Sequence, residues 1–210
     1  MVEEAPRLYL ITPPVADATA FAADFAAALD TAEIACVLLR VGAVDRGMTK
    51  KVVRALAPLA QERGVACLVE DPQLAIHTDV DGAHVTGLGK ELEAALASLK
   101  PEKIVGVGAI TGRDDAMTAA EAGVDYLMFG DADGSQSFAE ILENVNWWAE
   151  IFNVPCVAYA RDHTEIAEFA RAGADFVALC DAVWSDPRGI TSALHAAAEV
   201  LASMQESTKC

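Results

Sequence analysis

The sequence predicts a single (β/α)8 TIM barrel, and three observations carry that prediction. One pattern is written twice, fifty positions apart: Ala120-Glu-Ala-Gly-Val-Asp-Tyr-Leu-Met-Phe-Gly-Asp131 and Ala170-Arg-Ala-Gly-Ala-Asp-Phe-Val-Ala-Leu-Cys-Asp181. In each copy a helix ends at a glycine (Gly123, Gly173), which enters the left-handed region without a Cβ penalty. The strand that follows is apolar throughout, as a strand covered on both faces must be. Such strands alternate with amphipathic helices along the whole chain, the signature of right-handed βαβ units and a parallel sheet. Eight alternations fit a closed barrel. The alternative is a doubly wound open sheet, but no Gly-x-Gly-x-x-Gly follows the first strand to hold a dinucleotide.

Taken in order, the first strand is predicted over residues 7–12 and is closed by Pro13 and Pro14. A helix capped at Asp17 or Thr19 follows, with Phe21, Phe25 and Leu29 on one face. The second strand is expected at 36–41, and its helix at 48–63 has a stripe of Val52, Leu56 and Leu59 and stops at Gly64. The third strand, 66–70, leads into a helix that can only be short, 72–78. The fourth is Gly82–Thr86 with a helix over 91–99, and the fifth is 103–110. Thr111 and Asp114 have capping-box spacing, as do Asp162 and Glu165. Strands six, seven and eight are expected at 126–130, 155–160 and 176–180, and the sixth and last helices at 138–152 and 190–204. All 210 residues belong to one domain in this reading, with 205–210 a frayed tail.

Composition narrows the function. The chain is 53% hydrophobic but only 6% aromatic, which suits tightly packed helices. Its formal net charge of −17 argues against nucleic acid and anionic membranes, whose phosphates need clustered Lys and Arg. No apolar run approaches the roughly 18 residues that span a bilayer, and Glu3 and Glu4 make an N-terminus unlike a signal peptide. Four of the five cysteines (Cys36, Cys67, Cys156, Cys180) fall inside predicted strands as small hydrophobes, without metal-ligand spacing. A cytoplasmic protein is the expectation. A phosphorylated ligand would need a local device: a cation, an arginine or a helix N-terminus.

In a barrel of this type the site lies at the C-terminal ends of the strands. The polar residues there are Thr12, Arg40, Glu70, Asp71, His84, Thr86, Asp131, Asp133, Arg161, Asp162 and Asp181. Arg40 ends an apolar strand, where a guanidinium must find an anion or carbonyls. Glu70 and Asp71 are adjacent carboxylates, either part of a Mg2+ site or a solvated turn before Pro72. His84 is either a hydrogen-bonded core histidine or a functional group. Asp131 and Asp181 either open loops or face a ligand.

From the first strand to the last, order and spacing resemble thiamine phosphate synthase and its relative TenI. Arg7-Leu-Tyr-Leu-Ile-Thr12 resembles the family's opening strand, and Val37-Leu-Leu-Arg40 stands at its Gln-Leu-Arg-x-Lys segment. Val69-Glu-Asp71 stands at its Asn-Asp pair, Asp81-Gly-Ala-His-Val85 at its Asp-Gly-Val-His-Leu, and Ile104-Val-Gly-Val-Gly108 at its Ile-Gly-Val-Ser. Gly123-Val-Asp-Tyr126 resembles its Gly-Ala-Asp-Tyr. The resemblance implies coupling of a hydroxymethylpyrimidine diphosphate to a thiazole phosphate with Mg2+ and release of pyrophosphate. It makes Arg40 the diphosphate contact, Asp71 a Mg2+ ligand and His84 the fourth-strand histidine. Around them Glu70, Gly108, Asp131, Arg161 and Asp181 would bind a small phosphorylated heterocycle.

The departures fall on the chemistry. Leu38 and Gly42 stand for the glutamine and lysine of the second-strand segment, Glu70 for an asparagine, Gly89 near the second metal aspartate and Gly108 for a serine. The loop after strand six lacks the family's Thr-x-Thr-Lys, and Ala158-Tyr-Ala-Arg161 replaces a Gly-Gly turn. Three functions stay open: the synthase reaction, a non-catalytic binding module on the same barrel, and a TenI-like thiazole tautomerase with His84 as acid/base. Trp147 and Trp148, about 100° apart around a helix, raise a possible homodimer contact.

Overall fold

The computed structural model describes residues 6–42, 45–132 and 134–208. Eight parallel strands close into a barrel in sequence order: β1 Arg7–Ile11, β2 Ile34–Leu39, β3 Ala66–Val69, β4 Gly82–Thr86, β5 Ile104–Ile110, β6 Tyr126–Phe129, β7 Cys156–Ala160 and β8 Phe176–Leu179. The helices between them are α1 Ala18–Thr31, α2 Arg46–Gln61, α3 Pro72–His77, α4 Lys90–Leu99, α5 Arg113–Ala122, α6 Phe138–Ile151 and α7 His163–Arg171. After β8 come a four-residue turn of helix, α8 Asp181–Trp184, and the closing helix α9 Ile190–Thr208. The predicted architecture is the observed one.

Alternation along each strand divides the core in two. Leu8, Leu10, Val37, Leu39, Val105 and Val107 point outward into the layer shared with the helices. Tyr9, Ile11, Cys36, Leu38, Leu68, Tyr126, Met128 and Tyr159 fill the inside of the barrel. Beyond Ile104 at its start, strand β5 contributes little inward, because its next positions there are Gly106 and Gly108. That space is taken by neighbours. A Cβ at Gly106 would lie 2.0 Å from Tyr126 Cζ, and one at Gly108 would lie 2.5 Å from His84 Nε2. Near its end β5 bulges against β6, and Ala109 takes a left-handed conformation at φ 54°.

The aspartate of the repeated Gly-x-Asp turn has a structural reason, which Asp81 shares from an Asp-Val-Asp turn. Asp81, Asp125 and Asp175 each immediately precede an even-numbered strand, and each carboxylate accepts the backbone N–H of the preceding odd strand. The bonds run from Cys67 N (2.7 Å), Val105 N (2.8 Å) and Cys156 N (2.8 Å). Three odd–even pairs are thus tied at the N-terminal rim. A hydrogen bond to a charged acceptor contributes about 1.5–3 kcal/mol. Asp175→Ala is therefore expected to lower the unfolding free energy by about 2 kcal/mol in a urea titration, and an unchanged midpoint would mean the tie is ornamental.

Several boundaries differ from the sequence reading for local reasons. β2 begins two residues early because Ile34 already pairs with Leu8, ahead of a register shift, and it ends two residues early because the backbone of Arg40 and Val41 is drawn to the segment after β1. There Val15 N donates to Arg40 O and Gly42 N to Val15 O, both at 2.9 Å. Thr111 and Asp114 form no capping box, since Gly112 is the N-cap of α5. At α7, Asp162 caps Thr164 N, but Glu165 reaches back to Arg161 N instead of Asp162 N. The box that does form, Ser137 with Glu140, opens α6. Trp148 is buried, and Trp147 is covered from within the chain by Arg113 (4.9 Å) and Phe152.

Candidate active site

A cavity of about 220 Å³ opens at the C-terminal mouth of the barrel. Its floor is apolar, from Ile11, Leu38 and Met128, and its polar wall is Arg40, Glu70, His84, Thr86 and Asp131, with Gly108 and Ala109 from the bulge of β5. Six residues expected from the sequence (Arg40, Glu70, His84, Thr86, Gly108, Asp131) are brought together here. Asp71, Arg161 and Asp181 are not among the lining residues. Asp133 lies outside the described residues.

Arg40 is held from its backbone outward. Its N–H donates to the buried Thr12 hydroxyl at 2.9 Å, and its carbonyl accepts from Val15 N. The guanidinium Nε donates to Glu70 Oε1 at 3.2 Å. It also lies beside the Cys180 thiol, and Arg40 and Asp181 act on that thiol in opposite senses. Burial, then Asp181, push Cys180 up to about 11, and Arg40 pulls it down. The Tyr159 phenol is likewise raised, first by burial and then by Cys180, Asp181 and Asp131, with Arg40 opposing. The guanidinium is thus paired with Glu70, and it opposes Asp131 and Asp181 in their effect on the Tyr159 phenol.

His84 is 7% exposed. Its Nδ1 is 2.8 Å from the Tyr126 hydroxyl, and that hydroxyl is 2.8 Å from the hydroxyl of Tyr9. The structure shows His84 as a hydrogen-bonded core residue that also lines the cavity. Burial pushes its pKa down from 6.5 to about 4, so the ring is neutral at physiological pH. Because the folded value lies below the unfolded one, the unfolded chain holds more protons between the two. Stability from this group is complete above pH 6.5 and is lost as pH falls to about 4. A depression of this size is worth roughly 3 kcal/mol. Urea titrations from pH 7.5 to 4 should show the wild-type chain losing more stability than His84→Gln, and parallel losses would rule this out.

The remaining candidates serve their loops. Asp71 caps α3, accepting from Gln73 N at 2.8 Å. Arg161 is exposed, and its Nε lies 3.7 Å from Glu165. Asp181 begins α8, with its carboxylate 3.9 Å from Cys180 Sγ. This donor set does not fit a resident metal centre. Among the described residues no three His, Cys, Asp or Glu converge as ligands, and Glu70 is engaged by Arg40. The four strand-associated cysteines are free and buried, and Cys67 and Cys156 are pushed up to about 12 by burial first.

Tyr9 and Tyr126 escaped the list of candidate site residues. The signal was available: a phenol on the inward phase of an apolar strand carries a hydroxyl that must be bonded inside the barrel.

Comparison with known proteins agrees with this architecture. The sequence profile of the family described as thiamine monophosphate synthase matches residues 8–183. The thiamine-phosphate synthase of Rhodospirillum centenum is 39% identical over 194 residues, 90% of this chain and 94% of that one. The enzyme of the same name from Hyphomonas neptunium is 33% identical over 201 residues, 90% and 91% of the two chains. Among solved structures, thiamine phosphate pyrophosphorylase from Pyrococcus furiosus superposes with a TM-score of 0.80 at 20% identity, covering 97% of this chain and 99% of that one. The 3-hexulose-6-phosphate synthase of Salmonella typhimurium, with a TM-score of 0.73 at 14% identity over 94% and 99%, shares the barrel. No helix among the described residues is long and apolar enough to cross a membrane.

Proposed function

Because this chain belongs to the thiamine monophosphate synthase family, we propose that it couples a hydroxymethylpyrimidine diphosphate to a thiazole phosphate at the mouth of its barrel. One observation carries the reading. Arg40, the residue matched to a diphosphate contact, is fixed by its backbone at the wall of the cavity. In the reaction the bond between the pyrimidine methylene carbon and the diphosphate oxygen breaks, and its electron pair leaves with pyrophosphate. The thiazole nitrogen supplies the pair for the new carbon–nitrogen bond. Negative charge grows on the departing group, so a fixed guanidinium lowers the barrier more than it strengthens substrate binding. Before it can do so, Glu70 must yield its place at Arg40. Magnesium enters this proposal only as a companion of the diphosphate.

The test is incubation of purified protein with both phosphorylated substrates, with and without MgCl2. Thiamine phosphate and equimolar pyrophosphate are expected. A second reading, a barrel that binds without turnover, draws on the Glu70 carboxylate that already occupies the Arg40 guanidinium. A thermal shift with either substrate and no product would favour it, and product formation abolished by Arg40→Ala would remove it.

A further inference from the structure

The interior of the barrel holds a chain of polar groups that the proposed coupling does not use. From the cavity it runs His84, Tyr126, Tyr9, with both links at 2.8 Å, and Cys36 is the register partner of Tyr9 on the neighbouring strand. His84 and Tyr126 are 7% exposed and Tyr9 is 2% exposed, so their bonds must be satisfied by one another. The chain is given its room by glycine. Tyr126 lies over Gly106, and His84 Nε2, the nitrogen Tyr126 does not use, lies over Gly108 at the cavity wall.

We propose that Tyr126 and Tyr9 are positioning residues that hold His84 in the tautomer with its proton on Nε2, so that a neutral N–H is presented to a ring acceptor of a bound heterocycle. Each hydroxyl has one proton, so all the donors in the chain must point the same way. In one direction Tyr9 donates to Tyr126, Tyr126 donates to Nδ1, and the imidazole proton sits on Nε2. In the other, Nδ1–H donates to Tyr126 and Tyr126 to Tyr9, leaving Nε2 bare. The thiol beside Tyr9 is a weak partner as donor or as acceptor, so the link to the imidazole decides. A phenol O–H into an imidazole lone pair joins the stronger donor to the stronger acceptor, whereas the reverse joins the weaker of each. Burial holds the ring neutral, which makes the tautomer its chemical state. The absence of a side chain at Gly108 leaves the N–H uncovered on the cavity side.

The test is nitrogen NMR on imidazole-labelled protein, with the His84 signals identified by their loss in His84→Gln. In the wild-type chain Nδ1 should resonate as an unprotonated nitrogen and Nε2 as a protonated one. Tyr126→Phe removes the donor and should populate the other tautomer, while Tyr9→Phe leaves Tyr126 able to donate and should keep Nε2–H. A protonated Nδ1 in the wild-type chain overturns the proposal without any variant, as does a His84 spectrum unchanged in Tyr126→Phe. A second arm rests on the synthase reading: Tyr126→Phe should raise KM for one heterocyclic substrate about tenfold, with kcat changed much less. A fall in kcat at constant KM counts against a donor that reads the bound ring. If the chain shows no turnover at all, the synthase reading fails and the NMR result still decides the tautomer.

Discussion

Arg40→Ala is expected to lower kcat/KM for the coupling by about 100- to 1,000-fold, the loss seen when one preorganised charge-stabilising donor is removed from a site. Among the described residues the cavity wall offers no second guanidinium or ammonium to take over, since Arg161 lies outside the lining and pairs with Glu165 of α7. Arg40→Lys should recover only part of the loss, because an ammonium cannot reproduce the planar fork. Folding should hardly change: the Arg40–Glu70 pair is half-exposed, and such pairs contribute about 0–1 kcal/mol. Steady-state rates with matched circular dichroism decide the matter. Near-wild-type turnover in Arg40→Ala would sink the assignment. Glu70→Gln should act in the opposite sense on the same site, tightening pyrophosphate binding a few-fold by freeing the guanidinium.

Gly82→Ala should cost about 4 kcal/mol or more, a loss reserved for changes the core cannot absorb. Its Cβ would lie 2.0 Å from the Ile104 carbonyl oxygen and 2.7 Å from the carbonyl carbon. These are backbone atoms of the paired strand at the Gly82–Ile104 register, so no side chain can swing aside. The alanine chain should unfold near ambient temperature or enter inclusion bodies. Gly112→Ser is the matched control. That glycine is an N-cap with extended backbone and open space around it, so the hydroxyl should leave stability unchanged or raise it slightly. Equal midpoints for Gly82→Ala and wild type would mean that β4 and β5 can separate at no cost.

The barrel was legible because its evidence repeats. Each Gly-x-Asp turn stops a helix and starts a strand, and the apolar strands leave no amphipathic face for an open edge. Arg40, Glu70, His84, Gly108 and Asp131 could be placed at one cavity because all lie at or within a residue or two of a strand end, where barrel geometry fixes direction. Asp71, Arg161 and Asp181 stand no further from their strand ends than Arg40, Glu70 and Asp131 do, and contacts within their own loops are what separate them. Asp71 turned to cap α3, Arg161 to Glu165, and Asp181 to open α8. The end of β2 was misplaced because the pull of Val15 on Arg40 is a contact between segments distant in sequence. Tyr9 and Tyr126 read as core, and only their pairing across the barrel shows what their hydroxyls do.

The carboxylates of Asp81, Asp125 and Asp175 stitch β3 to β4, β5 to β6 and β7 to β8, all at the rim opposite the cavity. In hydrogen exchange the amides of Cys67, Val105 and Cys156 should therefore open together with the strand that follows each of them. The seams between stitched couples would be the planes along which a stressed ring parts. Loops at the other rim are free of this stitching, so ligand capture there can rearrange them while the couples stay closed.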